Sequence, residues 1–385
     1  MFYSAFIGKL VEFAIYFPTD FTYHQILTMT FNDISYVRLA SQQIAGTKFK
    51  TAKEIVCWMG AMQAQDYSMA KWAVGVRLPG STDKDIETAV NKGDIIRTHV
   101  LRPTWHFVSP ADIYWMLELT APRIKSSLKS RHKQLELTES VIKKSYSIIE
   151  KALIDGQHFT RNEIFSKLEK ANVATGNQRG IHILLRAELD GIICSGTSQE
   201  KQQTYALLEE RVPKKKLFQR DEALAQLANK YFTSHCPATV QDFIWWSGLP
   251  VADAKNALEM VRANFYSEKI NSQTYWFRDS ASPTKNIRES AHLLPAYDEF
   301  IISYKDRSAA LSSDIQKKTI SDNGIFWPVI VINGKVTGKW RRTMTKDTIV
   351  IETEFFQPLT KSTKNLIEKA SLRFGNFLNL KIERF

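Results

Sequence analysis

The sequence predicts an α+β protein: three tandem winged-helix units, then a small mixed barrel or sheet with one helix. Three observations carry that expectation. A capped helix, a turn, a second helix and a strand pair recur in that order three times along the chain. From about residue 290 the pattern changes, and β-branched runs flank an Asn333-Gly334 pair. The 385 residues, at 44% hydrophobic and 24% charged, have an ordinary globular balance with material for more than one core.

The first copy, 33–120, is the longest. "SYVRLASQQI" reads as a leading helix. Thr51 and Glu54 in "TAKE" form a capping box that opens "AKEIVCWMGAM". Helices follow at 69–77 and 83–92. "IIRTHVLRPTWHFV" has the composition of a strand pair, and "PADIYWMLELT" starts a helix at Pro110. The clearest copy is 158–212. Thr160 and Glu163 form its capping box, and Ile164, Phe165 and Leu168 give a helical apolar stripe. "RGIHILLRAELDG" reads as a second helix stopped by Gly191, and "IICSG" and "TYALLE" as strands around a polar loop. In the third copy, 237–278, Thr239 caps "VQDFIWWSG", Gly248 ends it, and Pro250 opens the next helix. "FYSEKI" and "TYWFR" form a hairpin across "NSQ". Beyond 290, "FWPVIVINGKVTGKWRR" and "DTIVIETEFF" supply strands, and "LTKSTKNLIEKASLRFGNFL" a closing helix with Thr360 or Ser362 near its cap. The domains expected are an N-terminal extension over 1–28, winged helices over 29–122, 123–220 and 221–285, and the C-terminal unit over 286–385. "PKKKLFQR" at 213–220 is a linker with exposed lysines.

Charge narrows the partners. The net charge is +12 and the pI about 9.4. That balance favours a polyanion, and three helix-turn-helix units make double-stranded DNA the leading partner. "PRIKSSLKSRHK" carries Arg123, Lys125, Lys129, Arg131 and Lys133 without an acid, and reads equally as a solvated face or a phosphate-facing stripe. Cys57, Cys194 and Cys236 form no CxxC pair, and the eight histidines form no metal-spaced cluster. Neither a metal nor a disulfide is expected, and no cofactor is implied. "MFYSAFIGKLVEFAIYF" is apolar but interrupted by Lys9 and Glu12, and too short to span a bilayer. It is taken as part of an upstream extension. No membrane partner is expected. A monomer in the cytoplasm, associated with the nucleoid, is.

Three polar clusters are candidates for chemistry. The first is "GAMQAQDYSMAKW", where Gln63 and Gln65 lie one residue apart at the end of an apolar run. Residues two apart in a helix diverge by about 200°, so converging amides require the helix to end or loosen near Gln63. A carboxamide donates and accepts hydrogen bonds but stays neutral; it orients a water rather than taking its proton. A solvent-exposed helix end is the bland alternative. The second cluster, "RTHVLRPTWH", holds Arg97, Thr98, His99, Arg102, Thr104 and His106. In a strand Arg102, Thr104 and His106 share a face. A polar strand face meeting water explains it as well. The third, "LLPAYDEFIISYKDRS", offers Tyr297, Asp298, Lys305 and Arg307 to a groove, or else Asp298 pairs with a nearby arginine.

From about residue 33 to 385 the chain closely resembles the AlkZ-like DNA glycosylases, a family also described as winged-helix DNA-binding proteins. The resemblance is carried, in order, by "RLASQQI", "MGAMQAQD", "RTHVLRPTWHFVSPADIYWML", "AELDGIICSG", "TYALLEERVP", "ATVQDFIWWSGL", "LLPAYDEF" and "NGKVTGKWRR". It implies three tandem winged helices and a C-terminal β-barrel in a C-shaped body. It implies excision of alkylated bases, in some members including interstrand crosslinks. The family's Gln–apolar–Gln signature falls on Gln63, Ala64 and Gln65; a sister branch carries aspartate in the second polar position. Residues 1–28 have no counterpart. On this resemblance Gln63 and Gln65 are catalytic. Arg102, Thr104 and His106 line the mouth, Arg97 and Asp298 contact substrate or DNA, and Lys339, Arg341 and Arg342 contact phosphates. The expected reaction is monofunctional hydrolysis of cationic N7- or N3-alkylated purines. A positive charge already on the base loosens the N-glycosidic bond, so the base departs neutral without a proton donor, while positive charge develops on the sugar. The competing expectation is a non-enzymatic DNA-binding regulator.

Overall fold

The computed structural model describes residues 29–200, 202–214, 218–278 and 289–384. The extension expected over 1–28 lies outside the described residues. Helix α1 (Phe31–Ser41) begins at a Thr30/Asp33 capping box and α2 (Ala52–Met59) at the Thr51/Glu54 box. Expected to run on through Met62, α2 instead stops at Gly60, whose φ of +77° a side chain rarely adopts. The chain then turns into β1 (Ala61–Gln63), followed by α3 (Tyr67–Gly75) and α4 (Asp83–Asn91). Strands β2 (Ile96–His99) and β3 (Trp105–Val108) complete a sheet in the order β1-β3-β2. Residues 101–104 between them bend, so Arg102 and Thr104 are not on a strand with His106 as expected.

Helix α5 (Ile113–Ser127) carries Pro122 inside it, so the boundary expected at residue 122 falls within one continuous helix. After α6 (Lys129–Gln134) and α7 (Glu139–Leu153) come β4 (Phe159–Thr160), α8 (Arg161–Lys170), α9 (Arg179–Leu189), β5 (Ile193–Ser195), β6 (Thr204–Leu207) and α10 (Leu208–Arg211). The Thr160/Glu163 box caps α8, and the three strands pair in the order β4-β6-β5. Helices α11 (Arg220–Ser234), α12 (Val240–Ser247) and α13 (Val251–Val261) precede the hairpin of β7 (Tyr266–Ile270) and β8 (Gln273–Phe277). Thr239 caps α12, Gly248 ends it in the left-handed region, and Asn271 and Ser272 turn the hairpin with positive φ, as a tight two-residue loop requires.

The C-terminal region comprises β9 (Ala291–Leu294), α14 (Glu299–Ile302), α15 (Ser313–Thr319), β10 (Val329–Ile332), β11 (Lys335–Met344), β12 (Thr348–Phe355), α16 (Lys361–Leu378) and β13 (Lys381–Arg384). Asn333-Gly334 turns β10 into β11 with φ of +50° and +73°. Where a barrel was expected, the strands form a five-stranded sheet in the order β13-β12-β11-β10-β9. Among the described residues β9 and β13 are its edges. Helix α16 crosses over between β12 and β13, which pair parallel, and it covers the sheet.

Hydrophobic packing does not follow the linear order of the units. Met62 and Phe107 of the first sheet share a core with α2–α4, the C-terminal sheet and α16. Trp72 lies between Phe374 and Phe377, at 4.9 and 5.0 Å between ring centroids, and its Nε1 donates to Leu293 O at 2.7 Å. Ala61, Ile96 and Val108, which the pleat turns to the opposite face, share a second core with α5 and α11–α13. The first sheet is therefore clamped between the C-terminal region and the third unit. Residues 135–207 have their own core, from Leu135 to Leu207. Among the described residues no helix is long and apolar enough to cross a membrane.

Candidate active site

Because α2 ends at Gly60, Gln63 lies at the end of a strand and Gln65 in the bend after it. The helix has ended before the pair, the geometry that two neighbouring amides require. The backbone between them is pinned at three polar atoms. Gln63 N donates to Glu299 Oε1 at 2.6 Å, and Ala64 N to Trp105 O at 2.6 Å. Ala64 O accepts Nε and Nη2 of Arg97 at 3.1 and 3.0 Å. Arg97 is buried and lies 3.9 Å above the Trp105 ring and 5.5 Å from that of Tyr67. Its place is beneath the motif, as a buried support.

The two glutamines differ in their surroundings. Gln63 is 6% exposed, and its Oε1 accepts Arg102 Nη2 at 3.1 Å. That bond orients the carboxamide and leaves its NH₂ group as the donor. Gln65 is exposed and, among the described residues, makes no side-chain hydrogen bond. Asp66 next to it caps α3, accepting Met69 N at 3.1 Å. Across the sheet Gln63 pairs with His106. His106 is fully buried, and desolvation pushes its imidazole down to about 3, so it is neutral. Its Nδ1 bonds to Thr104 O at 2.9 Å. The Thr104 side chain is half-buried, and among the described residues its hydroxyl makes no hydrogen bond. His106 and Thr104 thus stand behind Gln63, with Arg102 in contact with it.

The residue the sequence did not single out is Glu299. It is 1% exposed at the start of α14, where an acid reads as an ordinary helix N-terminal residue. Its Oε1 holds Gln63 N; its Oε2 accepts Trp246 Nε1 at 3.2 Å and the Ser303 hydroxyl, with His235 Nε2 3.7 Å away. Burial raises its pKa, but His235, Ser303 and Arg102 outweigh that and hold the carboxyl at about 2. It is a buried, ionised group directly behind the motif.

The remaining predicted residues separate from this cluster. Asp298 does not face a groove: its side chain is 0% exposed and paired with Arg77 Nη1 and Nη2 at 2.8 and 2.9 Å. The pairing alternative is the one the structure shows, because α14 turns the carboxylate inward and its Oδ1 also caps Phe300 N at 2.9 Å. Arg77 Nη2 further donates to Gln42 Oε1 at 2.8 Å, and Gln42 Nε2 to Tyr304 Oη at 2.9 Å. Arg342 reaches from β11 to the Ser68 hydroxyl at 2.5 Å, which brings the C-terminal sheet to the motif. Lys339 pairs with Glu354 at 3.3 Å and Arg341 with Glu352 at 2.7 Å on the outer face of β11–β12. Arg97, Arg102 and Arg342 have no carboxylate within 4.0 Å among the described residues, so the cluster around Gln63 is cationic except for Glu299 and Asp66. No group of three or more side chains suited to a metal occurs among the described residues.

A family model described as DNA glycosylase AlkZ-like matches residues 56–377. Among curated proteins, an interstrand DNA cross-link repair glycosylase of Streptomyces sahachiroi is 22% identical over 317 residues, 75% of this chain and 82% of that protein. Among solved structures, the Streptomyces sahachiroi DNA glycosylase AlkZ has the same fold at a TM-score of 0.76 and 17% identity, covering 93% of this chain and 100% of that one.

Proposed function

The chain belongs to the AlkZ-like DNA glycosylase family, and from that premise we propose that it hydrolyses the N-glycosidic bond of cationic N7- or N3-alkylated purines in double-stranded DNA, those tethered in interstrand crosslinks included. The observation that carries this reading is the asymmetry of the glutamines: Gln63 is locked by Arg102 and Gln65 is open to solvent. Gln63, its carbonyl oxygen occupied, offers N–H to a water oxygen. Gln65 offers a carbonyl to that water's proton, aiming the lone pair at the anomeric carbon. The buried, ionised Glu299 carboxylate behind Gln63 adds a negative charge that favours positive charge growing on the sugar, and a low-dielectric surrounding strengthens that attraction.

The reaction on this reading is hydrolysis without strand cleavage. Strand cleavage through a Schiff base requires an amine nucleophile, and Lys71, the first lysine after the motif, is buried with its ammonium on Asp83 and Glu87 at 2.7 and 2.8 Å. The three helix–hairpin units act as tandem winged helices in a monomeric, C-shaped body that grips the duplex, with the C-terminal sheet as a partial barrel. Arg342 and the outward-facing Lys339 and Arg341 contact phosphates, the latter two exchanging a carboxylate for a phosphodiester. A cytoplasmic, nucleoid-associated location suits that substrate.

The test is a lesion panel. Wild-type protein releases N7-methylguanine from duplex DNA and leaves an intact abasic strand. Gln65→Ala lowers the rate at least about 100-fold, the scale of losing one positioned hydrogen-bonding group, while DNA affinity and melting temperature stay unchanged. Absence of release from every cationic lesion rejects the glycosylase. Preference for one duplex sequence, indifferent to Gln65→Ala, makes the protein a regulator instead.

A further inference from the structure

The basic run "PRIKSSLKSRHK" forms the last turns of α5 and most of α6. The backbone scarcely breaks between the two: Leu128 has φ of −88° and ψ of −6°, and His132 N donates to Leu128 O at 2.9 Å. On such a helix Arg123, Ser126, Lys129, Ser130 and Lys133 fall within about 120° of one face, and all are exposed. Among the described residues, Lys125 alone of the run's cations pairs with a carboxylate, Asp190 at 2.5 Å. The outward face is positive, with serine hydroxyls between the charges.

A solvated face needs no partner, and what lies beneath this one decides between the two readings. Under it is α9, the second helix of the middle helix-turn-helix and the element that such a motif lays in a major groove. Of its eleven residues Ile181 alone is exposed. Leu185 and Leu189 pack on Ala121 and Ile124 of α5, while Ile183, Leu184 and Ala187 fill the core of residues 135–207. Glu188 pairs with His99 of β2 at 2.6 Å, and His182 meets His132 of α6 edge to face at 5.4 Å between centroids. Its cations are engaged as well: Arg179 donates to Leu135 O, and Arg186 pairs with Glu139 and Asp190. A helix enclosed in this way cannot enter a groove. The layer that covers it carries the unpaired charge in its place.

This layer also begins beside the candidate active site. Thr120 Oγ1 of α5 accepts Leu101 N at 3.2 Å, and Leu101 precedes Arg102, whose Nη2 holds Gln63 Oε1 at 3.1 Å. Arg123 follows Thr120 by about 4.5 Å along the helix axis, and Lys133 lies about 15 Å beyond Arg123. We propose that α5–α6 is a phosphate track: Arg123, Lys129 and Lys133 hold the DNA backbone beside the lesion and stand in for the recognition helix that the middle unit has buried. This rests on the reading above that duplex DNA is the substrate. Contacts of this kind position a duplex without reading its sequence, as an enzyme that meets damage in any sequence requires.

The salt dependence of binding to an undamaged duplex tests it, because each phosphate neutralised by a cation adds about 0.9 to the slope of log affinity against log salt. Arg123→Ala, Lys129→Ala and Lys133→Ala combined make that slope shallower by about 2.7, equally on duplexes of unrelated sequence. The melting temperature stays that of the wild type, since none of the three loses a protein partner. Arg123→Lys, Lys129→Arg and Lys133→Arg combined keep the slope. The control removes the same charge from exposed residues of α16, by Lys361→Ala, Lys364→Ala and Lys369→Ala, and leaves the slope within about 0.5 of wild type. A first triple variant whose slope matches wild type overturns the track, and so do equal losses in the two alanine triples, which make net charge the cause. The glycosylase is read separately, from wild-type release of N7-methylguanine. Release together with an unchanged slope in the first triple overturns the track alone. A shallower slope in a protein that releases no cationic base keeps the track as a DNA-binding face and removes the glycosylase.

Discussion

Arg77–Asp298 and Arg341–Glu352 are the same chemical pair in two places. Each is a two-pronged guanidinium–carboxylate contact, with closest approaches of 2.8 and 2.7 Å. The first has both side chains at 0% exposure and ties the turn after α3 to the N-cap of α14; the second has them at 78% and 46% on the outer face of β11–β12. The difference lies in what each group does once its partner is gone. Water takes over at the surface. In the interior nothing does, so the cost of breaking the first pair is the cost of a stranded charge. Geometry is nearly equal in the two, and burial alone separates a structural joint from a solvent-exposed pair, the one proposed to trade its carboxylate for a phosphate.

The sharpest way to break that comparison is Asp298→Ala. It strands Arg77 in the core and lowers unfolding free energy by about 3–5 kcal/mol, read from the urea midpoint. A loss no larger than the surface pair's would show that water reaches Arg77, and the contrast would fail. Acid extends the same contrast to single groups. His106 and His292 are pushed to about 3, chiefly by burial. Above their ordinary value near 6.5 both are neutral folded or unfolded. Between 6.5 and 3 the unfolded imidazoles bind protons and the folded ones do not. Stability is therefore full above pH 6.5 and falls as pH drops, by up to about 1.4 kcal/mol per pH unit for each histidine. Urea midpoints at pH 7.5, 6 and 5 check this, and His106→Gln makes the slope shallower. An unchanged slope in that variant would mean His106 takes up its proton while folded. At the small end is Glu352→Gln. With the pair well exposed, stability changes by less than about 0.5 kcal/mol, and DNA affinity rises because Arg341 loses its competitor. Unaltered affinity would remove Arg341 from the phosphate contacts.

The motif straddles the two regimes. Gln63 belongs to the interior: its backbone is fixed by a buried carboxylate and its side chain by a desolvated guanidinium. Gln65 belongs to the surface. A pair built this way holds one amide rigid at the expense of buried charge and leaves the other open to solvent, the arrangement the proposed reaction on a bulky, tethered base requires.

Local chemistry settled a good deal without coordinates. The Thr51/Glu54 and Thr160/Glu163 boxes, the Thr239 cap, the Gly248 stop and the Asn333-Gly334 turn all depend on neighbours within a few residues, and a short stretch of chain contains everything that decides them. The need for α2 to end before Gln63 is of the same kind, since side-chain directions follow from helical pitch. Tertiary structure alone decided the rest. Glu299 meets Gln63 from 236 positions away and Asp298 meets Arg77 from 221. One face of the first sheet was claimed by the C-terminal region and the other by the third unit. Tyr297 was placed in left-handed backbone. Such outcomes turn on which distant surfaces exclude water together, and burial changes the energy of a charge far more than any sequence neighbour does.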